Sequence, residues 1–204
     1  MTNWINRNFG TWRGLVRLLL ADAELATGRL RPFMLHHPEA VRRVVPVCLG
    51  NICRSAYAHH IAVECGLPVA SFGLSTHTGG ASPKAAVAAA GRRNVDMTAH
   101  RATDWKDFQV QPGDLLLVME VRQAHELRRR VGPRDDVQIC LLGMWCKPVM
   151  PHLHDPYTLS DGYFDTSFRR VDQAMRNLAQ ALPHLKQSAH TQTQPQPGER
   201  QRAL

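Results

Sequence analysis

Apolar positions along the chain change period in a regular alternation. From Val41 to Val47 the run is β-branched and nearly continuous, the pattern of a strand buried on both faces. "SAYAHHIAVEC" then follows at helical spacing and stops at Gly66, a predicted C-terminal cap. The alternation repeats with a strand in "PVASFGLST", a helix in "SPKAAVAAAGRRN" with Ser82 as N-cap and Pro83 in its first turn, and an apolar strand in "DLLLVME". "VRQAHELRRRVG" reads as a helix with a basic outer face, "VQICLLG" as a fourth strand, and "YFDTSFRRVDQAMRNLAQAL" as a long last helix. Strands alternating with helices, the strands apolar throughout, predict an α/β fold whose parallel sheet is covered on both faces.

The two ends read differently. Trp12, Leu15, Val16, Leu19, Ala23, Ala26 and Leu30 recur at spacings of three and four, which predicts an N-terminal amphipathic helix ended by Pro32 and Pro38. Its apolar face is expected to pack on the body, because an exposed face of this kind invites aggregation. Arg13, Arg17 and Arg29 make contact with an anionic membrane surface the secondary reading. Arg17 and Asp22 interrupt the stretch, so it is read as neither a signal peptide nor a membrane span. "SAHTQTQPQPGERQRAL" has no periodicity and is expected to be disordered. The predicted organisation is a helical extension over 1–42, one domain over 43–185 and a disordered tail over 186–204.

Composition narrows the class. A chain of 204 residues, 44% hydrophobic and 21% charged, suits one globular domain. Lys and Arg outnumber Asp and Glu by 25 to 17, yet between Val44 and Leu185 the counts are 15 and 13. Residues 1–43 carry seven Arg against three acids. No aromatic-basic motif accompanies this fringe, so no nucleic-acid partner is expected. Five cysteines without a CxxC pair or zinc spacing argue for a reducing cytoplasm, with no disulfide scaffold and no structural metal. His59 and His60 are adjacent and are expected on different faces of their helix, not as a chelating pair.

Candidate chemistry gathers in "VCLGNICRSAY", residues 47–57. Five residues separate Cys48 from Arg54, Ser55 follows, and the stretch links the first strand to the first helix. A loop entering a helix N-terminus offers free N–H groups and the positive end of the dipole to a phosphate-like dianion. Gly50 permits close backbone approach, and Asn51 tolerates a left-handed conformation. In such surroundings thiolate is favoured over thiol, making Cys48 a candidate nucleophile. Arg54 presents a planar fork for two phosphate oxygens, and Ser55 can donate to the sulfur. Asp155, in "HLHDPYT" after the fourth strand, falls where the carboxyl ends of parallel strands converge and is the candidate general acid and base.

"VCLGNICRS" with "DPY" resembles the low-molecular-weight protein tyrosine phosphatase family, as do "SFGLST", "AHRA" at 99–102 and "DLLLVME" at 114–120. The resemblance spans about residues 43–184. It implies a three-layer sandwich around a four-stranded parallel sheet of order 2-1-3-4, a phosphocysteine intermediate on Cys48, and no metal or other cofactor. Leu49, Gly50, Asn51, Ile52, Cys53, Arg54 and Ser55 would then cradle the phosphate. Cys53 would be a redox partner that protects Cys48 through a reversible disulfide. Ile52 in the loop and Tyr157 beside the acid favour phosphotyrosine over phosphoarginine, with Tyr157 walling the cleft. Ala56, Glu120 and Thr158 depart from the usual residues of the family and bear on selectivity. By the same analogy the partner is a phosphotyrosine protein, such as a bacterial tyrosine kinase of polysaccharide export. An arsenate reductase and a catalytically silent phosphoprotein-binding module are the competing readings. The first lacks extra thiols between Cys65 and Cys140, and the second would not need Asp155.

Overall fold

The structure is a computed structural model and describes residues 2–186. Two helices open the chain, α1 (Thr2–Phe9) and α2 (Trp12–Ala26), followed by β1 (Arg43–Cys48), α3 (Arg54–Glu64) and β2 (Phe72–Gly73). Then come α4 (Lys84–Gly91), β3 (Asp114–Val118), α5 (Val121–Val131), β4 (Gln138–Leu141) and α6 (Asp161–Ala181). The four strands form a parallel sheet of order β2-β1-β3-β4, the order the resemblance implies. The tail expected to be disordered lies, from residue 187 on, outside the described residues.

Alternate side chains of the central strands enter two apolar layers. Val44, Leu115 and Leu117 face α3, α4 and α6, packing with Ile61, Ala89, Phe168 and Val171. Val45, Val47, Leu116 and Val118 face the other way, onto Ala124 and Leu127 of α5 and onto Leu30 and Phe33. The three-layer architecture follows, because each face of a fully apolar sheet must be covered.

Several local expectations are corrected. The second strand is two residues long instead of spanning "PVASFGLST". Pro46 shares parity with Val44, whose N–H and C=O bond to Pro68 and Ala70 on that edge. Its missing N–H falls on the same edge, where the ladder lapses before Phe72. Ser82 is not the N-cap of α4; Pro83 takes that position in an extended conformation, where its missing N–H costs no bond. Gly66, in contrast, does end α3 with a positive φ of 72°, as predicted.

The N-terminal helix differs most. It is shorter than the expected 12–30, because Thr27 caps it and Gly28 turns away at φ 75°. Leu30 is not on its face but plugs the sheet beside Phe33 from a separate 3₁₀ turn, Arg31–Phe33. The face that α2 buries is Gly14, Leu18 and Ala21, while Trp12, Val16, Leu19 and Leu20 of the opposite side are 63%, 41%, 58% and 60% exposed. Leu15, Val16, Leu18, Leu19 and Leu20 make the helix apolar on both sides, so periodicity alone does not choose. Gly14 and Ala21 allow the close approach that the bulkier side cannot. No helix among the described residues is long and apolar enough to cross a membrane.

Candidate active site

Residues 49–53 leave the carboxyl end of β1 and turn directly into α3. The turn depends on Asn51, which is fully buried and adopts φ 51°. Its side-chain amide donates to Ser55 Oγ at 2.9 Å and Ser71 Oγ at 3.1 Å, and its Oδ1 accepts from Thr103 N at 3.0 Å. Its carbonyl lies 2.9 Å from His100 Nε2. Gly73 backs the loop so closely that a Cβ there would stand 2.8 Å from Leu49 O and 2.9 Å from Gly50 C.

The loop encloses the Cys48 sulfur. Asn51 N–H donates to Cys48 Sγ at 3.3 Å, and Ser55 Oγ lies 3.0 Å from it. Cys53 stands at the N-cap of α3 and its side chain caps no N–H group among the described residues, an arrangement in which the first N–H groups of the helix could receive an anion. Both Cys48 and Cys53 are buried free thiols. Burial, with the charges of Cys48 and Asp155, pushes the Cys53 thiol far up, so it stays protonated at neutral pH. Leu49 is exposed at the mouth and Ile52 is half-buried in the loop wall.

Arg54 has no exposed surface. Its Nη1 donates to Glu120 Oε1 at 2.7 Å and to the Leu153 carbonyl at 2.8 Å. Nη2 is 2.7 Å from Asp155 Oδ2, an ion pair that lies off the N–H direction and so is not a hydrogen bond. Nε has no hydrogen-bond partner among the described residues. Burial works against the guanidinium charge, but Asp155 and Glu120 outweigh it and hold the group cationic. Burial likewise opposes the Glu120 carboxylate, and Arg54 and Arg122 overcome it, lowering its pKa to about 2.

The segment carrying Asp155 is fastened on both sides. Leu153 N–H donates to Met119 O at 2.9 Å, Tyr163 Oη–H donates to His154 O at 3.1 Å, and Tyr157 N–H donates to Asp155 Oδ1 at 3.2 Å. Tyr157 is 51% exposed, so its ring is not packed in the loop. The structure thus brings Cys48, residues 49–53, Arg54, Ser55 and Asp155 to one end of the sheet, with Tyr157 beside them. Sequence reasoning missed Ser71, Thr103 and His100, which pin Asn51, although "SFGLST" and "AHRA" contain two of the three. It noted Glu120 only as a departure and did not foresee its pairing with Arg54.

The histidines are also corrected. His59 and His60 do not diverge: their ring centroids are 5.7 Å apart, and His100 lies 6.2 and 5.8 Å from them. No cluster of three or more His, Cys, Asp or Glu among the described residues could hold a metal ion. Burial lowers the pKa of His59 and of His152 to about 4, and also lowers His60, His100 and His154. His59 and His152 therefore stay neutral in the fold down to about pH 4, whereas in the unfolded chain they take up protons near pH 6.5. Their contribution is therefore complete above that pH and is lost as the pH falls toward about 4. The melting temperature is expected to drop between about pH 7 and pH 5, and His152→Asn to lessen the drop. Thermal melts that are flat over this interval would contradict the assignment.

With fold and site described, comparison with known proteins places the chain. Residues 43–188 match the family described as low molecular weight phosphotyrosine protein phosphatase. The probable low molecular weight protein-tyrosine-phosphatase AmsI of Erwinia amylovora is 28% identical over 145 residues, 70% of this chain and 98% of AmsI. Wzb of Salmonella typhi, also a low molecular weight protein-tyrosine-phosphatase, is 29% identical over 142 residues, 69% and 93% of the two chains. The tyrosine phosphatase Wzb of Escherichia coli K30, solved with sulphate, superposes with a TM-score of 0.60 at 25% identity, covering 70% of this chain and 99% of its own. The fold and loop thus belong to a phosphoric monoester hydrolase. The chain is a member of the low molecular weight phosphotyrosine protein phosphatase family, and its activity is that of a protein-tyrosine-phosphatase.

Proposed function

We propose that this enzyme hydrolyses phosphotyrosine through a phosphocysteine on Cys48. The Cys48 thiolate attacks phosphorus in line, the P–O bond to the tyrosine breaks, and Asp155 gives its proton to the leaving phenolic oxygen. Asp155, now a carboxylate, takes a proton from water, which attacks the phosphocysteine, breaks the P–S bond and releases inorganic phosphate with the thiolate restored. Ser55 donates to the sulfur as it leaves. Arg54 and the N–H groups of residues 49–53 hold the equatorial oxygens through both steps. The observation that carries this reading is the Arg54 guanidinium. It is buried, with Nε lacking a hydrogen-bond partner among the described residues and Nη2 only 2.7 Å from the Asp155 carboxylate, so one group joins the anion cradle to the acid.

An aromatic substrate suits the cleft, since exposed Leu49 and Tyr157 and half-buried Ile52 offer apolar surface beside the loop. The bacterial relatives are named protein-tyrosine-phosphatases, which supports a phosphotyrosine protein as substrate; a tyrosine kinase of polysaccharide export is proposed as that protein by family analogy alone. Cys53 is proposed as the redox partner of Cys48. Burial pushes Cys140 and Cys146 up to about 11, which leaves an arsenate reductase without a further poised thiol in that part of the chain. The test is hydrolysis of a phosphotyrosyl peptide in EDTA. The wild type is expected to turn over, and Asp155→Ala to lose about 10²- to 10⁴-fold. Phosphate binding without turnover in the wild type would favour the binding module instead.

A further inference from the structure

The family match begins at residue 43, yet the residue next to Asp155 is held from outside it. Thr11 is the N-cap of α2, and its Oγ1 accepts from Gly14 N–H at 3.0 Å. The same oxygen is 3.3 Å from His154 Nε2. The imidazole lies against bare backbone. A Cβ on Gly10 would stand 2.9 Å from His154 Cδ2, and one on Gly14 would stand 2.9 Å from both Cδ2 and Cγ. Gly10 also takes φ 76°, which lets the chain turn from α1 into α2 over the ring. Opposite, Tyr163 of α6 donates to the His154 carbonyl, and Arg170 of α6 donates to Asn8 O at 2.6 Å, tying the end of α1 to the same helix.

We propose that the N-terminal extension is a positioning element for the acid, with Thr11 fixing the His154 ring so that the Asp155 carboxyl is held at the leaving oxygen. This rests on the reading of Asp155 as general acid. His154 is clamped between the α1–α2 turn and α6, and its backbone leads straight into Asp155, whose carboxylate already meets Arg54. If the ring is freed, Asp155 has one less constraint, while the phosphate cradle of residues 49–55 is untouched. Placement of a catalytic group is sensitive: a shift of about 1 Å can cost about 10²-fold in rate. The extension therefore acts on proton delivery and not on phosphate binding.

The test separates proton delivery from everything else. A phenolate as basic as tyrosine needs the acid to leave, whereas a dinitrophenolate leaves without it. The ratio kcat/KM, which reports steps up to formation of the phosphoenzyme, is measured for tyrosine phosphate and dinitrophenyl phosphate. Asp155→Ala serves as reference and is expected to lose kcat/KM on the first substrate only, its slowed second step leaving kcat/KM for the dinitrophenyl ester unchanged. Thr11→Val is expected to lower kcat/KM for tyrosine phosphate about tenfold and to change the dinitrophenyl value by less than about twofold. Thr11→Ser, which keeps the hydroxyl, is expected to restore the wild-type ratio. Gly14→Ala, whose methyl would collide with the Phe9 carbonyl as well as the His154 ring and so displace the α1–α2 turn from the ring, is expected to act in the same direction as Thr11→Val. Equal losses on both substrates, or none, would overturn the proposal while leaving the Asp155 assignment standing. A reference Asp155→Ala that fails to discriminate would overturn the acid assignment and this proposal with it.

Discussion

Cys48→Ser is expected to lower kcat toward phosphotyrosine by on the order of 10⁴- to 10⁶-fold while inorganic phosphate still binds. The sulfur lies 3.3 Å from Asn51 N and 3.0 Å from Ser55 Oγ, a site that a hydroxyl can occupy without disturbing the loop. A serine hydroxyl, however, remains protonated at neutral pH and attacks phosphorus poorly. Arg54 and the N-terminal N–H groups of α3 are unchanged, so the proposed anion site is kept. Calorimetric titration with phosphate, beside turnover of a phosphotyrosyl peptide, separates the two effects. Activity within about tenfold of wild type would remove Cys48 from the chemistry.

Glu120→Ala is expected to destabilise the fold by about 3–5 kcal/mol, the usual consequence of removing one partner of a buried ion pair. Glu120 is fully buried, and its Oε1 holds Arg54 Nη1 at 2.7 Å while Oε2 accepts from Arg122 Nε at 2.7 Å. Without it the Arg54 cation keeps only the Leu153 carbonyl on that nitrogen and Asp155 on the other. Arg54 would then swing toward Asp155, so activity is expected to fall along with stability. Glu120→Gln retains a hydrogen bond and is expected to cost less. Denaturant unfolding of both variants checks the ranking, and a cost below about 1 kcal/mol for alanine would contradict the role given to the pair.

How much of this was legible in the sequence depends on distance along the chain. The candidate loop was readable because Cys48, Gly50, Asn51, Arg54 and Ser55 lie within one short stretch between a strand pattern and a helix pattern. Asp155 was readable because parallel topology carries the end of β4 to the same edge. The contacts that pin the loop were not, since Ser71, Thr103 and His100 reach Asn51 from 20, 52 and 49 residues away. No local pattern marks a residue as the support of another. Glu120 stood out only as a departure from the family, and its meaning is a pairing across 66 residues with Arg54. The buried side of α2 escaped for a different reason. Periodicity weighs large apolar residues, whereas contact with His154 selected Gly14, the smallest one.

The central claim is that phosphate passes through Cys48. It is tested most directly by mixing Asp155→Ala with dinitrophenyl phosphate in EDTA and reducing buffer, quenching in acid and mapping the phosphate by mass spectrometry. The good leaving group lets the first step proceed, and loss of the base slows the second, so a stoichiometric phosphate on the Cys48 peptide is expected. Turnover of the dinitrophenyl ester with no phosphate on Cys48, or with phosphate on another side chain, would contradict the account.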